Sequence, residues 1–280
     1  MAAKSSKHSY NLPHGREEND RLDAQHHAIV ELIGGRVYHA PLSRPSKILD
    51  VGCRSGVVTT HLAKCFPSAE VVGVDLAAPI DLSTKPDNVT YLQGDFFHLV
   101  ESGVLKEGDF DFIFSRMLVV GMVDWPRYAS TVSRLLKQGG WVEMQDLSWH
   151  LYDHNECSID DAFPFVLAIQ NLLLRKGLDP FCGEHLAEYM RSAGLRAVDQ
   201  KIYPWAWTYW KNRPETRLIA EHSRSEEHIA VQNFLLEKLN NGVGAYTSEE
   251  IRTLKEENQT SAEKIREGMH YIFGVAYGQK

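Results

Sequence analysis

The stretch Ile48-Leu49-Asp50-Val51-Gly52-Cys53-Arg54-Ser55-Gly56 decides the fold of this chain. It is a short apolar run that stops at a glycine and leads into a helical pattern, which predicts a strand, a turn and a helix. Such a unit presents backbone amides to a ligand at the carboxyl edge of a parallel sheet. We expect Gly52 and Gly56 to remove side chains at the closest approaches of the backbone to that ligand. The stretch therefore predicts a nucleoside-binding sheet.

Apolar runs further along the chain predict the rest of this sheet. After residues 47–51, the candidate strands are residues 70–75, 89–93, 110–115 and 141–146. Helical or turn-rich sequence separates them, which implies right-handed parallel connections. Residues 198–207 and 270–277 predict a closing pair of strands. The economical fold is α/β, a doubly wound Rossmann-like sheet with helical cap insertions.

The segments outside the sheet predict a lid and a cap. Residues 17–38 fit a helix that ends near Gly34-Gly35, so residues 1–46 are expected to form an N-terminal helical lid over a domain of residues 47–280. Two mainly helical segments, at about residues 149–195 and 210–269, are expected to cap that domain. Gly177 and Gly183 predict turns within the first of them.

The overall composition argues against several classes of protein. A length of 280 residues suits one elaborated α/β domain. The 30 Lys and Arg residues against 37 Asp and Glu give a net charge of -7, without a long basic run, so a nucleic-acid partner is not expected. No run of about 18 apolar residues predicts a membrane span. The polar N-terminus and the four unpaired cysteines lead us to expect a cytoplasmic protein with free thiols and no bound metal.

Acidic residues at the ends of the first two strands suit a nucleoside ligand. Asp75, followed by Leu76, lies nineteen residues beyond Gly56, where its carboxylate can accept both ribose hydroxyls. Asp50, two positions before the first glycine, suits a ligand with a cationic ammonium group, such as the methionine part of S-adenosylmethionine. Either motif alone is equally well explained by an ordinary turn and a surface aspartate.

The next two strand ends complete the predicted cofactor site. Asp95 is placed to accept a hydrogen bond from the adenine amine, with Phe96 offering its amide or its ring. Ser115 and Arg116 end the fourth strand and are expected to face the reactive methyl group. The alternatives are a Gly-Asp turn followed by core phenylalanines, and a Ser115 that caps the following helix. A nicotinamide cofactor is disfavoured, because Arg54 replaces the central glycine of a dinucleotide-binding loop.

These residues resemble class I methyltransferases, and more closely the fungal group that includes the LaeA-like regulators of secondary metabolism. Within that group the chain looks most like the gliotoxin-type dithiol bis-thiomethyltransferases, and the likeness extends over nearly the whole chain. The segments that carry it are Tyr10-Asn11-Leu12-Pro13, Glu18, Arg21-Leu22-Asp23-Ala24-Gln25-His26-His27, Gly34-Gly35, Ala40-Pro41-Leu42 and Leu135-Leu136-Lys137-Gln138-Gly139-Gly140-Trp141-Val142-Glu143.

The resemblance implies an S-adenosyl-L-methionine pocket formed by residues at the strand ends. It also implies that the N-terminal helix folds over this pocket and that Tyr10 reaches the methionine end. Arg54 departs from the glycine that is usual at its position, which puts the tightness of the loop in doubt. The residues expected to bind the cofactor are Tyr10, Asp50, Gly52, Gly56, Asp75, Leu76, Asp95, Phe96 and Ser115.

The methyl acceptor is expected to be a small molecule bound under the cap. Aromatic and methionine side chains suit a flat apolar acceptor, although core packing explains at least half of them as well. No obligatory base is assigned, and Arg116 is a candidate for favouring a thiolate. His26, His27, His150 and His154 are weaker candidates. The residues expected to line the acceptor pocket are Met117, Met122, Trp149, Phe165, Trp205 and Trp207.

The sequence thus predicts a methyltransferase that acts on a secondary metabolite, with a reduced epidithiodiketopiperazine dithiol such as dithiol gliotoxin as the expected acceptor. Methylation at O or N of another small metabolite is one alternative. A LaeA-like regulator that acts through protein partners is another. The oligomeric state is left open.

Overall fold

The computed structural model describes residues 16–77 and 85–280. Its centre is one mixed sheet in which the strands lie in the order β3-β2-β1-β4-β5-β7-β6. Strands β1 to β5 pair in parallel, and β7 pairs antiparallel with both β5 and β6. The strands are β1 Lys47–Val51, β2 Glu70–Asp75, β3 Val89–Gln93, β4 Phe110–Arg116, β5 Leu136–Tyr152, β6 Arg196–Ala206 and β7 His270–Gln279.

Helices cover both faces of the sheet. Two of them have strong local starts: Asp124 accepts a hydrogen bond from Arg127 N at the start of α4, and Thr247 with Glu250 forms a capping box at the start of α9. The helices are α1 Arg16–Leu32, α2 Val57–Cys65, α3 Phe96–Glu101, α4 Trp125–Leu135, α5 Pro164–Arg175, α6 Cys182–Ser192, α7 Arg217–Ser223, α8 Glu226–Val243 and α9 Ser248–Thr260. Among the described residues, no helix is both long enough and apolar enough to cross a membrane.

The sheet register brings the chemistry-bearing residues to one edge. Val51 pairs with Val74 and with Ser115, and Asp75 pairs with Gln93, so the carboxyl ends of β1 to β4 lie side by side. Strand β5 runs past this edge, and its far end pairs with the start of β7, where Tyr152 lies opposite His270. The extended end of β5 therefore forms a platform beside the edge.

The predicted doubly wound α/β fold is confirmed, and each predicted strand overlaps a strand of the structure. The lid helix ends at Leu32, close to the Gly34-Gly35 pair where the sequence predicted its end. The fifth strand is much longer than predicted, so Trp149 lies in β5 and not in a helical segment. The strand is longer because the antiparallel partner β7 pairs with residues 141–152. The local sequence of β5 does not predict this long-range pairing.

Gly183 was predicted to lie in a turn, but it lies inside α6. A Cβ atom added at Gly183 would lie 2.6 Å from the carbonyl oxygen of Asp146, and one added at Gly274 would collide with the Gly183 carbonyl. The absence of both side chains lets the backbone of α6 touch the sheet directly. Gly177, by contrast, does occupy a turn, with φ +74°.

Candidate active site

The turn after β1 is tied to the neighbouring strands by its backbone. The amides of Gly52 and Cys53 donate to the carbonyl oxygen of Val74, at 2.8 and 3.1 Å. Gly52 and Gly56 both have positive φ, and a Cβ atom at either would collide, with Leu118 and with the Tyr91 hydroxyl respectively. These two glycines are thus required by the packing of the protein itself. Arg54, at the position where a glycine is usual, adopts φ +39°.

Asp75, at the end of β2, binds the backbone of this turn. Its Oδ2 accepts a hydrogen bond from Arg54 N at 3.0 Å, and its Oδ1 accepts one from Ala77 N at 2.8 Å. An ionised carboxylate offers about four lone-pair positions, so each oxygen retains capacity for a further donor. Leu76 follows with 40% of its surface exposed, at the rim of the same edge.

Asp50 lies beneath the turn. Its Oδ2 accepts a hydrogen bond from Thr59 Oγ1 at 2.6 Å, which links β1 to α2. Burial raises the pKa of Asp50 to about 6, against the opposing effects of the Thr59 hydrogen bond and of the positive charge of Arg116. The structure therefore gives Asp50 a role in holding the turn, whatever else it does there.

Asp95 and Phe96 close the edge at the end of β3. Asp95 begins α3, and its Oδ1 accepts a hydrogen bond from His98 N at 2.9 Å. The backbone of β3 is drawn to β2 because Gly94 N donates to the carbonyl oxygen of Asp75. Phe96 is buried, with its ring centroid 5.3 Å from that of Tyr128. The ring of Phe96 therefore packs in the core, as the alternative interpretation of the sequence predicted.

Ser115 and Arg116 are neighbours on a strand and so point to opposite faces of the sheet. Ser115 is buried and does not cap the next helix, because Asp124 does so. Arg116 was expected to face the reactive methyl group together with Ser115, but its guanidinium contacts the lid. It donates to His26 Nδ1 at 3.1 Å, to the carbonyl oxygen of Val37 at 3.1 Å and to Gln145 Oε1 at 2.7 Å.

A buried hydrogen-bond network continues from Arg116 into the segment between α1 and β1. Gln145 Nε2 donates to Val37 O at 2.9 Å and to Glu143 Oε1 at 2.6 Å. Glu143 Oε2 accepts from the amides of His39 and Ala40 at 2.6 and 2.7 Å. Burial raises the pKa of Glu143 to about 7. We call Arg116, Gln145 and Glu143 the linker clamp, which sequence reasoning missed as a unit.

Helix α1 crosses above the turn and packs against α7. Ser55 Oγ donates to Asp23 Oδ1 at 3.2 Å, which brings the helix to the turn after β1. On its α7 side, Gln25 Nε2 lies 3.3 Å from His222 Nε2. Burial, followed by the charge of Arg116, lowers the pKa of His26 to about 3, so His26 is a neutral hydrogen-bond acceptor for Arg116. Tyr10, expected at the methionine end, lies outside the described residues.

The residues expected to contact the acceptor are separated by the structure into two groups. Trp205 is fully buried and its Nε1 donates to Ser223 Oγ at 3.0 Å, so its polar atom serves the fold. Met122 and Phe165 are also buried, and Met117 is partly buried, with φ +57°. Trp149 and Trp207 meet at the far end of β5, around the ring of Tyr271. Tyr271 was not singled out from the sequence, where it reads as an ordinary strand residue.

Two of the remaining histidine candidates, His27 and His150, have structural partners. His27 Nδ1 lies 2.7 Å from the carbonyl oxygen of Asp23 and is exposed. His150 contacts Glu184, with Nδ1 3.4 Å from Oε1, and this contact raises the pKa of His150. Within residues 16–77 and 85–280, no three His, Cys, Asp or Glu side chains are grouped to bind a metal ion.

The chain was compared with known proteins. A family model described as a methyltransferase domain matches residues 24–200. The chain is similar to the methyltransferase pytC of Aspergillus terreus, with 27% identity over 273 residues, which cover 95% of this chain and 81% of that protein. It is also similar to the secondary metabolism regulator laeA of Coprinopsis cinerea, with 34% identity over 155 residues, 52% of this chain and 37% of that protein.

A solved structure supports the fold independently. It is that of a cyclopropane-fatty-acyl-phospholipid synthase-like protein from Lactobacillus casei, with a TM-score of 0.56 and 14% identity. The match covers 97% of this chain and 96% of that one. At this level of identity the match shows a shared arrangement of strands and helices.

Proposed function

This chain belongs to the methyltransferase domain family, and we propose that it methylates the thiols of a reduced epidithiodiketopiperazine such as dithiol gliotoxin. It is an S-adenosyl-L-methionine-dependent methyltransferase of the fungal secondary-metabolism type. The observation that supports a cofactor site at the sheet edge is the grouping of Asp50, Asp75 and Asp95 at neighbouring strand ends around one glycine turn.

The residues present fit an adenosyl ligand with an amino-acid tail. Asp75 already orders the turn through two backbone amides and has lone pairs left for ribose hydroxyls. Asp95, at the next strand end, uses Oδ1 for its helix and would accept the adenine amine through Oδ2. Asp50 and the turn amides would receive the methionine end, with Gly52 and Gly56 shaping the turn. Leu76, Phe96 and Ser115 complete the proposed cofactor contacts.

The main task of the protein in this reaction is to position the acceptor and the cofactor. When bound, the cofactor supplies a methyl group that is already activated on a sulfonium. The chain must present the acceptor sulfur in line with the S–CH3 bond and exclude water. The acceptor thiolate, with its proton lost to solvent, would form the new S–C bond, and the electron pair of the broken S–CH3 bond would stay on the cofactor sulfur. With a thiol pKa of about 8.5, a few per cent is thiolate at neutral pH.

Arg116 is assigned as a positioning residue in this reaction. Its guanidinium holds α1 and residue Val37 against the sheet, next to the tip of β4. Residues 1–46 are proposed as the lid, and the segments at about 149–195 and 210–269 as the cap over residues 47–280. Met117, Met122, Trp149, Phe165 and Trp207 remain the proposed acceptor contacts, while Trp205 packs against His222 and Phe273.

A regulator that acts through protein partners is the second candidate, because laeA of Coprinopsis cinerea is similar to part of this chain. That similarity covers 52% of the chain, whereas the similarity to the methyltransferase pytC covers 95%. The longer match includes the cap segments, where an acceptor would bind. It therefore favours an enzyme with a small-molecule acceptor.

The test is a transfer assay with purified protein and S-adenosyl-L-methionine labelled in the methyl group. The acceptors are reduced gliotoxin, simple dithiols, phenols and amines. We expect labelled S-methyl product from reduced gliotoxin. Labelled product from phenols or amines alone would move the acceptor to O or N. No product from any acceptor, together with a partner protein captured from fungal extract, would replace the enzyme with the regulator.

A further inference from the structure

The loop that follows β4 lies against the turn after β1. A Cβ atom added at Gly52 would lie 2.5 Å from Cδ2 of Leu118, so the Leu118 side chain packs on the backbone of that turn. At the start of the loop, Met117 N donates to the carbonyl oxygen of Gln145 at 2.9 Å. We call residues 117–124 the β4 loop. It lies between the proposed cofactor turn and β5.

One buried carboxylate binds the backbone of the β4 loop. Oδ2 of Asp146 accepts a hydrogen bond from Leu118 N at 2.6 Å, and Oδ1 accepts one from Val119 N at 3.3 Å. These amides begin a single helical turn, in which Gly121 N and Met122 N both donate to the carbonyl oxygen of Leu118 at 2.8 Å. The first amides of a helical turn have no backbone acceptor within it, so a carboxylate at this place stabilises the turn.

Asp146 has a fixed position in β5. Its Oδ1 also accepts a hydrogen bond from Leu147 N at 2.9 Å, and the residue is only 1% exposed. The backbone of α6 packs on it, because a Cβ atom added at Gly183 would lie 2.6 Å from the carbonyl oxygen of Asp146. A carboxylate held in this way fixes the position of the amides that it binds.

Two consecutive residues of β5 hold the segments on the two faces of the sheet. Gln145 and Asp146 point to opposite faces because they are neighbours on a strand. Gln145 binds the carbonyl oxygen of Val37, in the segment after the lid helix, and Asp146 binds the β4 loop. That loop carries Met117 and Met122, two of the proposed acceptor contacts. The β4 loop is thus placed by β5 between the acceptor contacts and the cofactor turn.

We propose that Asp146 is a positioning residue for methyl transfer, which holds the β4 loop so that Leu118, on the cofactor turn, aligns the acceptor with the methyl group. This inference rests on the proposed function and goes beyond it, because Asp146 acts through the loop and not through a ligand contact of its own. Transfer is sensitive to such placement, since a displacement of about 1 Å can lower a rate about 100-fold.

The test uses Asp146→Asn, which replaces one carboxylate oxygen by an amide group that cannot accept a hydrogen bond. The assays are run well above pH 7, because burial raises the pKa of Asp146 to about 7. We expect kcat to fall about 30-fold and amide exchange of the β4 loop with deuterium to become about tenfold faster. The affinity for S-adenosylhomocysteine should change less than about threefold, since Val74 and Asp75 still hold the turn.

The matched control is Asp111→Asn. Oδ2 of Asp111 also accepts hydrogen bonds from two consecutive amides, Ser46 N and Lys47 N, at 2.9 and 2.8 Å, but at the opposite end of β4. We expect the kcat of this variant to equal that of the parent, even where its Tm is lower. Equal losses of kcat in the two variants would mean that only the stability of the fold matters, and would overturn the inference.

Leu118→Ala is the second variant and also decides the matter if Asp146→Asn does not fold. It keeps both amide bonds to Asp146 and should lower kcat about tenfold. Because Asp146 is proposed to act through Leu118, the double variant should lose no more than about 100-fold, which is less than the product of the single losses. An unchanged kcat in Leu118→Ala, or a double variant that loses the full product, would contradict the proposal.

The choice of acceptor separates this inference from the proposed function. The acceptor is reduced gliotoxin or, if that is not methylated, the phenol or amine that the parent methylates. A loss of kcat in Asp146→Asn with a phenol or an amine alone would refute the thiol acceptor and support the positioning role. An equal kcat of parent and Asp146→Asn with reduced gliotoxin would do the reverse. A parent that methylates no acceptor would overturn both.

Discussion

The acids at the strand ends and the aromatic residues at the far end of β5 differ in whether their polar atoms have partners within the protein. Asp50, Asp75 and Asp95 are each bound to protein donors before any ligand arrives. Trp149 and Tyr271 are buried with donors that the described protein does not satisfy. The first region is ordered by its own contacts, so its shape precedes its ligand. The second is ordered by ring packing and keeps two buried polar atoms without a partner among the described residues.

The linker clamp lies between these two regions of the sheet. Arg116 lies at the tip of β4, between the turn and the extended part of β5, and Gln145 and Glu143 pass its contacts on to the segment after α1. If the clamp holds the lid against the sheet, its loss should lower the free energy of unfolding more than the loss of a residue in either region.

Replacement of Arg116 by Met is expected to have the largest effect. It leaves Gln145 Oε1 and the Val37 carbonyl without their buried charged donor, which should lower the free energy of unfolding by about 3 kcal/mol. Urea unfolding measures this. The control is Arg134→Met, whose ion pair with Glu107 is mostly exposed and should contribute no more than about 0.5 kcal/mol. Equal effects of the two changes would show that the clamp does not hold the lid.

The pH dependence of stability tests Glu143, the acidic residue of the linker clamp. Burial raises the folded pKa of Glu143 from 4.5 to about 7, so the folded protein retains a proton that the unfolded chain releases between these values. The contribution of Glu143 to the free energy of unfolding should therefore be fully present below pH 4.5 and be lost as the pH rises to 7. Glu143→Gln should remove about 2–3 kcal/mol of this loss. Urea unfolding at several pH values gives the slope, and an unchanged slope in the variant would mean that Glu143 is ionised throughout.

Asp75→Ala tests the cofactor side of the comparison. Loss of hydrogen bonds to a charged group should weaken binding of S-adenosylhomocysteine by about 1–3 kcal/mol, which is roughly 5- to 150-fold. Calorimetric titration measures it. Asp109→Ala is the control, because Asp109 lies at the opposite end of β4 and pairs with Lys47. An affinity equal to that of the parent would show that the ribose lies elsewhere.

The smallest effect is expected on the outer surface of the cap. Lys255 Nζ lies 2.6 Å from Glu237 Oε1 between α9 and α8, in a pair that is partly exposed to solvent. Lys255→Met should change the free energy of unfolding by no more than about 0.5 kcal/mol. A change above 1 kcal/mol, seen by urea unfolding, would mean that the outer helices stabilise the fold as much as the clamp does.

The strand-end acids and the linker clamp differ in how far the sequence reveals them. The acids at the strand ends follow short apolar runs, so Asp50, Asp75 and Asp95 could be placed at one edge from local patterns. The clamp could not be found in this way, since Glu143 binds His39 and Ala40 from more than a hundred residues away. Arg116 was singled out, but its partners were not.

Two further differences have the same physical origin in long-range contacts. Trp149 lies in a strand because β7, 120 residues later, pairs with that part of β5. Gly183 was predicted to form a turn because glycine most often does so, whereas its lack of a side chain lets α6 approach the backbone of β5 at Asp146. Each depends on a partner element that periodicity does not identify.

The central claim is that one ligand is bound by the acids at three neighbouring strand ends. A crystal structure of the protein with S-adenosylhomocysteine tests it directly. We expect the ribose hydroxyls within hydrogen-bond distance of Asp75, the adenine amine at Asp95 and the amino-acid end at the turn that Asp50 supports. A nucleoside bound away from Asp75 and Asp95 would contradict the account.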